Sequence, residues 1–253
     1  MLKLFKKDQL EIKVFDTRAE MGLIASRDAA EYIQKELKTK NELSIVFASA
    51  PSQNDFLSSL IEQDIEWNRI NAFHMDEFIG LTEDAPQGFG NFLKSKIFDK
   101  IQLKSINYLF KKNEDPSIVC QNYSRLLDQQ PIDIVFMGIG ENAHIAFNDP
   151  HVALFNDPEK VKIVSLDLIC RKQQVNDGFF ASVDDVPTHA ITLTIPVLVG
   201  AKRIFCIVPA PSKAKAIKAV VSGEITEKYP ASVLRTHRFA TLYCDKDSAK
   251  YIL

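Results

Sequence analysis

Short apolar runs alternate with amphipathic segments along most of the chain. Runs rich in Val, Ile, Leu and Phe predict β-strands, and most of them are apolar at successive positions rather than at every second one. A strand that is apolar on both faces is typical of a parallel sheet covered by helices on both sides. The predicted strands span residues 42–48, 69–75, 133–139, 162–166, 189–195, 203–209 and 239–244.

Helical periodicity fills the segments between these strands. The clearest helix runs from Thr17 to Lys38, where Asp16 or Thr17 can cap the first turn and Glu20 follows Thr17 by three residues, as in a capping box. The alternation of strands and helices predicts an α/β fold with a doubly wound, mostly parallel sheet and helices on both faces. Further helices are predicted over 52–62, 90–99, 116–129 and 211–221.

Composition narrows the class of protein. The 253 residues are 46% hydrophobic and 25% charged, with a net charge of -2, so no global charge attracts nucleic acid or an anionic membrane. No repeat or linker divides the chain, and we expect one domain over residues 1–253. The first residues, MLKLFKKDQLEIK, are too charged for a signal peptide, and no apolar run approaches membrane-spanning length. We therefore expect a cytoplasmic protein.

The four cysteines are far apart and form no CxxC pair. Cys206 and Cys244 lie inside apolar runs, whereas Cys120 and Cys170 lie elsewhere along the chain. This distribution favours buried, reduced thiols over disulfides or a metal site.

Ligands of doubly wound sheets bind at the carboxyl ends of the strands, and four segments follow a predicted strand there. The segment HMDEFIGL places Asp76 and Glu77 just beyond an apolar run. Two such acids are commonly solvated or cap a helix. A carboxylate at the lip of a sheet can also lose water, which raises its pKa toward that of a general base. The four segments span residues 48–55, 74–81, 138–150 and 209–215.

The third segment, GIGENAHIAFNDP, combines glycines, acids and a histidine. Gly138 and Gly140 allow a sharp turn and a close approach to a ligand. The imidazole of His144 can exchange protons near neutral pH, and Glu141 or Asp149 could orient it. The alternative is a histidine that only binds the loop backbone.

The fourth segment begins a helix with Ser212 and Lys213, a natural place to bind an anion. The first segment carries SAPS, in which Ser49, Ala50 and Ser52 also begin a helix. Because SAPS lacks the glycines of a phosphate cradle, it is only a weak phosphate signal.

Taken in order, these segments resemble the glucosamine-6-phosphate deaminase (isomerase) family over nearly the whole chain. HMDEFIGL is similar to the family signature MDE-aromatic-x-GL, and GIGENAHIAFNDP is similar to G-x-G-x-D-G-H-I-A-F-N-E-P. The segment from residue 189 to 225 follows the family pattern, including a lysine at a helix start. The chain resembles 6-phosphogluconolactonases more distantly, because I-A-F-N-D-P follows His144 instead of A-S-L-F-P.

The resemblance implies a mechanism. Asp76 would shuttle a proton between C2 and C1 of the open-chain sugar, and the resulting 2-imine would be hydrolysed to release ammonia. His144 would protonate the ring oxygen to open the pyranose, and Asp149 would stand in its acidic triad. Lys213 would bind phosphate, and Glu77, Gly138 and Gly140 would contribute to the substrate site. No metal or organic cofactor is implied.

The chain departs from the family pattern at several of these positions. Asn142 replaces the aspartate of the triad, Ala143 replaces the glycine before the histidine, and Asp149 replaces a glutamate. The family's phosphate-binding arginine falls at Gly178, and Arg171, seven residues earlier, is the candidate replacement.

The family's T-G-G-[ST]-P phosphate loop is replaced by Ser49-Ala50-Pro51-Ser52. Three functions therefore stay open. The first is deamination or aldose–ketose isomerisation of an amino-sugar phosphate or related sugar phosphate, the second is lactone hydrolysis, and the third is a sugar-phosphate sensor without turnover. In each case the partner is a small sugar phosphate, with no nucleic acid or membrane. A homo-oligomer is compatible with the sequence, although no segment specifies one.

Overall fold

The structure, a computed structural model, describes residues 1–109 and 114–253. The α-helices are α1 (Arg18–Leu37), α2 (Asn54–Leu60), α3 (Phe89–Lys96), α4 (Pro116–Gln129), α5 (Leu168–Asn176), α6 (Ile195–Val199) and α7 (Ala214–Ser222). The strands are β1 (Lys3–Lys7), β2 (Leu10–Phe15), β3 (Leu43–Phe47), β4 (Ile70–His74), β5 (Asp76–Phe78), β6 (Ser105–Asn107), β7 (Ile134–Met137), β8 (Val161–Ser165), β9 (His189–Leu193), β10 (Arg203–Val208) and β11 (Ala240–Asp245). None of the helices in these ranges combines the length and apolarity needed to span a bilayer.

Eight of the described strands form one sheet in the order β1-β2-β11-β10-β7-β3-β4-β6. β1 pairs antiparallel with β2, and all the other neighbouring pairs are parallel. The chain moves outward from β3 through β4 and β6, then outward from β7 through β10 and β11 in the other direction. The winding therefore reverses between β3 and β7, where open α/β sheets form their ligand crevice. This arrangement confirms the predicted doubly wound, mostly parallel sheet.

The structure contains a second, smaller sheet that the sequence analysis did not predict. β5, β9 and β8 form a three-stranded antiparallel sheet, so the predicted strands at 162–166 and 189–195 are real but lie outside the parallel sheet. In β8 only Val161 and Val164 are buried, which fits a strand with one face toward solvent. Asp76 pairs in register with Thr192, so it belongs to a strand rather than to the loop expected from the sequence.

The large sheet is buried on both faces, as its continuous apolar strands predict. Alternate residues of one strand enter different cores: Val135 packs in the core on one face and Phe136 in the core on the other. The ring of Phe136 lies 5.3 Å from that of Phe47 and 5.6 Å from that of Phe205, each distance measured between ring centroids. Aromatic contacts between neighbouring strands therefore stabilise the part of the sheet that carries the crevice. All four cysteines are free and buried, as expected: Cys120, Cys170, Cys206 and Cys244.

Helix α1 begins and ends within one residue of its prediction. The hydroxyl of Thr17 accepts the N–H of Glu20 at 3.1 Å, which satisfies one of the free donors of the first turn. The Glu20 carboxylate accepts the N–H of Asp16 at 3.2 Å, so the reciprocal bond of the capping box reaches one residue further back than expected.

The last residue of β4, His74, is a buried histidine that must stay neutral. Its Nε2 accepts the backbone N–H of Leu109 at 2.5 Å, and burial lowers its pKa to about 3. Between about pH 3 and the ordinary value of 6.5, the unfolded chain binds a proton at this residue that the native chain does not. Stability from neutral His74 is therefore fully present above pH 6.5 and is lost as the pH falls toward 3.

We expect the substitution His74→Gln to remove this acid sensitivity, because the glutamine amide does not titrate and its oxygen can accept the same N–H. Below pH 6.5, the free energy of unfolding should fall with decreasing pH more steeply in the wild type than in His74→Gln. The difference in slope should be up to about 1.4 kcal/mol per pH unit. Urea unfolding of both proteins at a series of pH values measures this difference. Parallel curves would contradict the assignment of a neutral buried His74.

Candidate active site

The four segments chosen from the sequence follow four strands that are neighbours in the sheet, in the order β10-β7-β3-β4. Their carboxyl ends border one cleft of about 510 Å³, counting the part open to solvent. The cleft lies at the reversal point between β3 and β7, as the fold predicts. The predicted site residues that line it are Ser49, Ala50, Ser52, Asp76, Gly138, Gly140, His144 and Lys213.

Three buried polar side chains line this cleft without a protein partner. Asp76 is 6% exposed, Gln174 is 4% exposed and Lys213 is 5% exposed. Within residues 1–109 and 114–253, none of the three side chains makes a hydrogen bond or an ion pair. Buried polar groups are nearly always hydrogen-bonded. The unused donors and acceptors of these three side chains are therefore available to a ligand in the cleft.

Asp76 has the electrostatic surroundings of a proton acceptor. Burial raises the pKa of its carboxyl group well above the ordinary value of 3.8, and the adjacent carboxylate of Glu77 raises it further. A carboxylate whose pKa is moved toward neutrality binds a proton from a weak carbon acid more readily than an ordinary aspartate does. The position therefore suits a general base.

Glu77 lies beside Asp76 but does not line the cleft. Its carboxylate accepts three backbone N–H groups, from Phe78 at 2.9 Å, Phe89 at 3.0 Å and Gly90 at 2.8 Å. Burial raises the pKa of Glu77, although these bonds oppose the increase. The bonds fix the start of α3 against β5, so Glu77 supports the wall of the cleft.

His144 is paired with a fully buried acid. Its Nδ1 lies 2.9 Å from Oδ1 of Asp149, an ion-pair distance outside the angular range of a hydrogen bond. Burial disfavours the charged form of Asp149, but His144, Asn142 and the N–H of Asp167 together hold its pKa below the ordinary value. Asp149 therefore presents a negative charge to one side of the imidazole while the other side faces the cleft.

Asn142 occupies the position between two carboxylates. Its Nδ2 donates to Oδ1 of Asp149 and to Oδ2 of Asp167, both at 3.0 Å, and its Oδ1 accepts the N–H of His144 at 3.1 Å. Asp167 is the N-cap of α5 and also donates its own N–H to Asp149 at 3.1 Å. An aspartate at position 142 would put three carboxylates together, so the amide is the neutral donor that this arrangement needs.

Gly140 makes room for the imidazole. A Cβ on Gly140 would lie 2.2 Å from two atoms of the His144 ring, so any side chain there would displace the ring. The sequence predicted that this glycine allows a close approach to a ligand, whereas the structure shows a close approach to His144. Glu141 does not contact His144 through its carboxylate; its N–H donates to Oε1 of Gln173 at 2.7 Å.

The loop that carries His144 contains two alanines with left-handed backbone conformation. Ala143 has φ of 68° and Ala146 has φ of 49°. A left-handed alanine costs roughly 1–2 kcal/mol relative to an ordinary one. The carbonyl of Ala143 accepts the N–H of Ala231 at 2.8 Å, which helps to hold this conformation. The position before His144 thus keeps a turn that glycine would adopt without strain.

The predicted anion-binding residues are only partly in place. Ser49 donates its hydroxyl to the carbonyl of Phe89 at 3.2 Å, and Ser52 accepts the amide of Gln53 at 3.1 Å. Ser212 is exposed and does not line the cleft. Lys213 does line it. Burial lowers the pKa of the Lys213 ammonium group, whereas the carboxylates of Asp177 and Glu141 oppose this shift.

Arg171 lies outside the cleft. Its guanidinium group donates to the carbonyls of Val183 at 2.5 Å and Val186 at 3.0 Å. Instead, α5 lines the cleft with Gln173, Gln174 and Asp177, which the sequence analysis did not select because α5 was not among the predicted helices.

Two groups of side chains have ligand atoms close enough to hold a metal ion. They are His144 with Asp149 and Cys170, and Asp149 with His151 and Asp167; within each group the ligand atoms lie within 4.8 Å of one another. Both groups share Asp149, whose two carboxylate oxygens already accept hydrogen bonds from Asn142 and Asp167. Both oxygens of Asp149 therefore already have protein partners.

Comparisons with known proteins identify relatives that match most of the chain. The chain is 32% identical over 220 residues to a glucosamine-6-phosphate deaminase of Streptococcus gordonii, covering 87% of this chain and 91% of the relative. It is 29% identical over 233 residues to the glucosamine-6-phosphate deaminase of Listeria welshimeri, covering 92% and 97% of the two chains.

Solved structures show the same fold. A monomeric glucosamine-6-phosphate deaminase superposes with a TM-score of 0.85 at 27% identity, covering 94% of this chain and 98% of that one. A 6-phosphogluconolactonase of Thermotoga maritima superposes with a TM-score of 0.77 at 17% identity, over 94% of this chain and 100% of that one, and shares the fold. Residues 16–243 match the sequence profile of the family described as glucosamine-6-phosphate isomerases/6-phosphogluconolactonase. The chain therefore belongs to this family of sugar-phosphate enzymes.

Proposed function

We propose that the protein converts glucosamine-6-phosphate, or a related amino-sugar phosphate, into the ketose phosphate and ammonia. The observation that carries this proposal is the buried carboxyl of Asp76, which has a raised pKa, has no hydrogen-bond or ion-pair partner among the described residues, and lines the same cleft as His144 and Lys213. A base, an acid and a cation in one cleft are the groups that an aldose–ketose shift of a phosphorylated sugar needs. The relatives named above support the amino sugar as substrate.

The reaction begins with ring opening. His144, which lies beside Asp149, gives a proton to the ring oxygen of the pyranose, the hydroxyl at C1 releases its proton to water, and the bond between C1 and the ring oxygen breaks as the open-chain aldehyde forms. Asn142 keeps Asp149 in place through its amide.

Proton transfer at carbon follows. The carboxylate of Asp76 removes the proton from C2 while the C1 oxygen takes up a proton from water, which yields an enolamine, the nitrogen counterpart of an enediol. Asp76 then returns its proton to C1 as the nitrogen releases one proton to water. The nitrogen at C2 is then an imine. Water adds to this imine, the C–N bond breaks, and ammonia leaves while C2 becomes the ketone. The buried, unpartnered position of Asp76 suits both proton transfers.

The test is ammonia release from glucosamine-6-phosphate by the purified protein, with N-acetylglucosamine-6-phosphate as a control that has no free amine. The proposal predicts release from the first sugar alone. Hydrolysis of 6-phosphogluconolactone without ammonia release would identify a lactonase instead. Binding of the sugar phosphate without any turnover would identify a sensor.

Lys213 is expected to bind the phosphate group. We expect Lys213→Met to raise KM for glucosamine-6-phosphate roughly 10- to 100-fold, with a smaller change in kcat, because a charged hydrogen bond contributes about 1.5–3 kcal/mol. Lys215→Met is the matched control, since Lys215 lies two residues further along, in α7, and is exposed. Steady-state kinetics of both variants measure the effect, and an unchanged KM in Lys213→Met would refute the assignment.

A further inference from the structure

The part of the cleft around Lys213 contains an acid that a phosphate site does not need. Asp177 caps the carboxyl end of α5 and lines the cleft together with Lys213, Gln173 and Gln174. We infer that Asp177 is a specificity-determining residue that weakens the binding of a phosphate dianion. The protein would then discriminate only weakly between a phosphorylated amino sugar and the same sugar with a free hydroxyl. The part of this inference that concerns discrimination between amino sugars rests on the proposed function.

The charges in this part of the cleft nearly cancel. Among the described residues that line the cleft, Lys213 is the only lysine or arginine, because the guanidinium of Arg171 is bound to carbonyl groups elsewhere. The negative charge of Asp177 offsets the positive charge of Lys213, and the carboxylate of Glu141 also acts on that ammonium group. Apart from Asp76 and His144, the charged or titratable side chains that line the cleft are Lys213 and Asp177, so a dianion beside Lys213 gains one cation and meets one carboxylate, and its net electrostatic attraction there is small.

The Asp177 carboxylate is not neutralised by a contact. Among the described residues, its Oδ2 accepts only the neutral amide of Gln173, at 3.2 Å, and the carboxylate forms no ion pair with Lys213 within 4.0 Å. The negative charge therefore stays exposed to a ligand in the cleft. An approaching phosphate oxygen would have to share Lys213 with this charge.

The other side chains that α5 contributes to the cleft are neutral hydrogen-bond donors and acceptors. The side chain of Gln174 is 4% exposed and, within the described residues, makes no hydrogen bond. An amide of this kind can donate to and accept from a sugar hydroxyl, whereas it adds no charge to hold a dianion. The side chains that α5 supplies therefore fit a hydroxyl at least as well as a phosphate.

The test compares the wild type with Asp177→Asn, which keeps the oxygen that Gln173 contacts but removes the charge. The control is Asp64→Asn, because Asp64 is exposed beyond the carboxyl end of α2. The probe is inorganic phosphate at pH 8, where it is mostly a dianion, and its Kd is measured by calorimetry at low salt. We expect Asp177→Asn to bind phosphate roughly 5- to 20-fold more tightly than the wild type, and Asp64→Asn to bind like the wild type.

The second readout is ammonia release from glucosamine-6-phosphate and from glucosamine. The inference predicts that the ratio of kcat/KM for the two sugars rises in Asp177→Asn through a lower KM for the phosphorylated sugar, with kcat unchanged. Equal Kd values for phosphate in the wild type and Asp177→Asn would overturn the inference while leaving the proposed function intact. If Asp177→Asn binds phosphate more tightly but neither sugar yields ammonia, the proposed function is overturned, together with the part of the inference that concerns the amino sugar. That result would still support the role of Asp177 toward anions.

Discussion

Replacing Asp76 by asparagine is expected to lower kcat for ammonia release by roughly 10²- to 10⁴-fold, the range that a positioned general base contributes. The asparagine amide has nearly the same shape, but it cannot accept the C2 proton. Asp84→Asn is the control, since Asp84 is exposed and lies outside the cleft. A wild-type kcat in Asp76→Asn would end the assignment of Asp76 as the base.

The same substitution is expected to leave the fold at least as stable as the wild type. Burial raises the pKa of Asp76 above 3.8, so the native chain holds a proton that the unfolded chain releases. Stability from this group is therefore present at low pH and is lost as the pH rises, which means that the ionised carboxylate destabilises the native state at neutral pH. Asparagine removes that cost, and urea unfolding at pH 8 measures it. An inactive variant that is also unfolded would show that Asp76 is needed for folding.

Replacing His144 by glutamine is expected to lower kcat/KM by roughly 10²-fold or more, because glutamine cannot deliver a proton to the ring oxygen. The remaining activity would come from sugar that opens spontaneously in water. His189→Gln is the control: His189 is exposed, its Nδ1 lies 2.9 Å from the hydroxyl of Thr188, and it does not line the cleft.

A deuterium isotope effect separates the roles of the two residues. When C2 carries deuterium, removal of this atom by Asp76 slows the wild type if proton transfer limits turnover. In His144→Gln, ring opening becomes the slow step and breaks no bond at C2, so the isotope effect on kcat should disappear. An isotope effect larger than that of the wild type would place His144 in the carbon proton transfer instead.

The location of the site could be predicted from the sequence because it follows from strand order and loop position. The apolar runs before residues 48, 75, 138 and 209 end at one edge of a parallel sheet, and four of the chosen loops line one cleft. This argument selected His144 and Lys213 as candidates, and the family resemblance supplied their expected roles. The roles of their neighbours could not be predicted, because a sequence does not show which way a side chain points. Glu77, next to Asp76, bonds to backbone N–H groups instead of facing the cleft.

The elements that the sequence did not predict share weak or ambiguous patterns. β1 and β2 alternate apolar and charged residues at the edge of the sheet, and their lysines look like a solvated terminus. Helix α5 is short and polar on average, so its periodicity is faint, yet it supplies Gln173, Gln174 and Asp177 to the cleft. The link between Asn142 and Asp167 joins residues 25 positions apart, and no local pattern reveals such a contact.

The most direct test of the account uses glucosamine-6-phosphate deuterated at C2 and follows the sugar by NMR while ammonia is measured. The account predicts that deuterium leaves C2 at the rate at which ammonia appears, and that Asp76→Asn abolishes both. Sugar that binds to the protein but keeps its C2 deuterium, with no ammonia formed, would contradict the central claim that Asp76 moves a proton at C2.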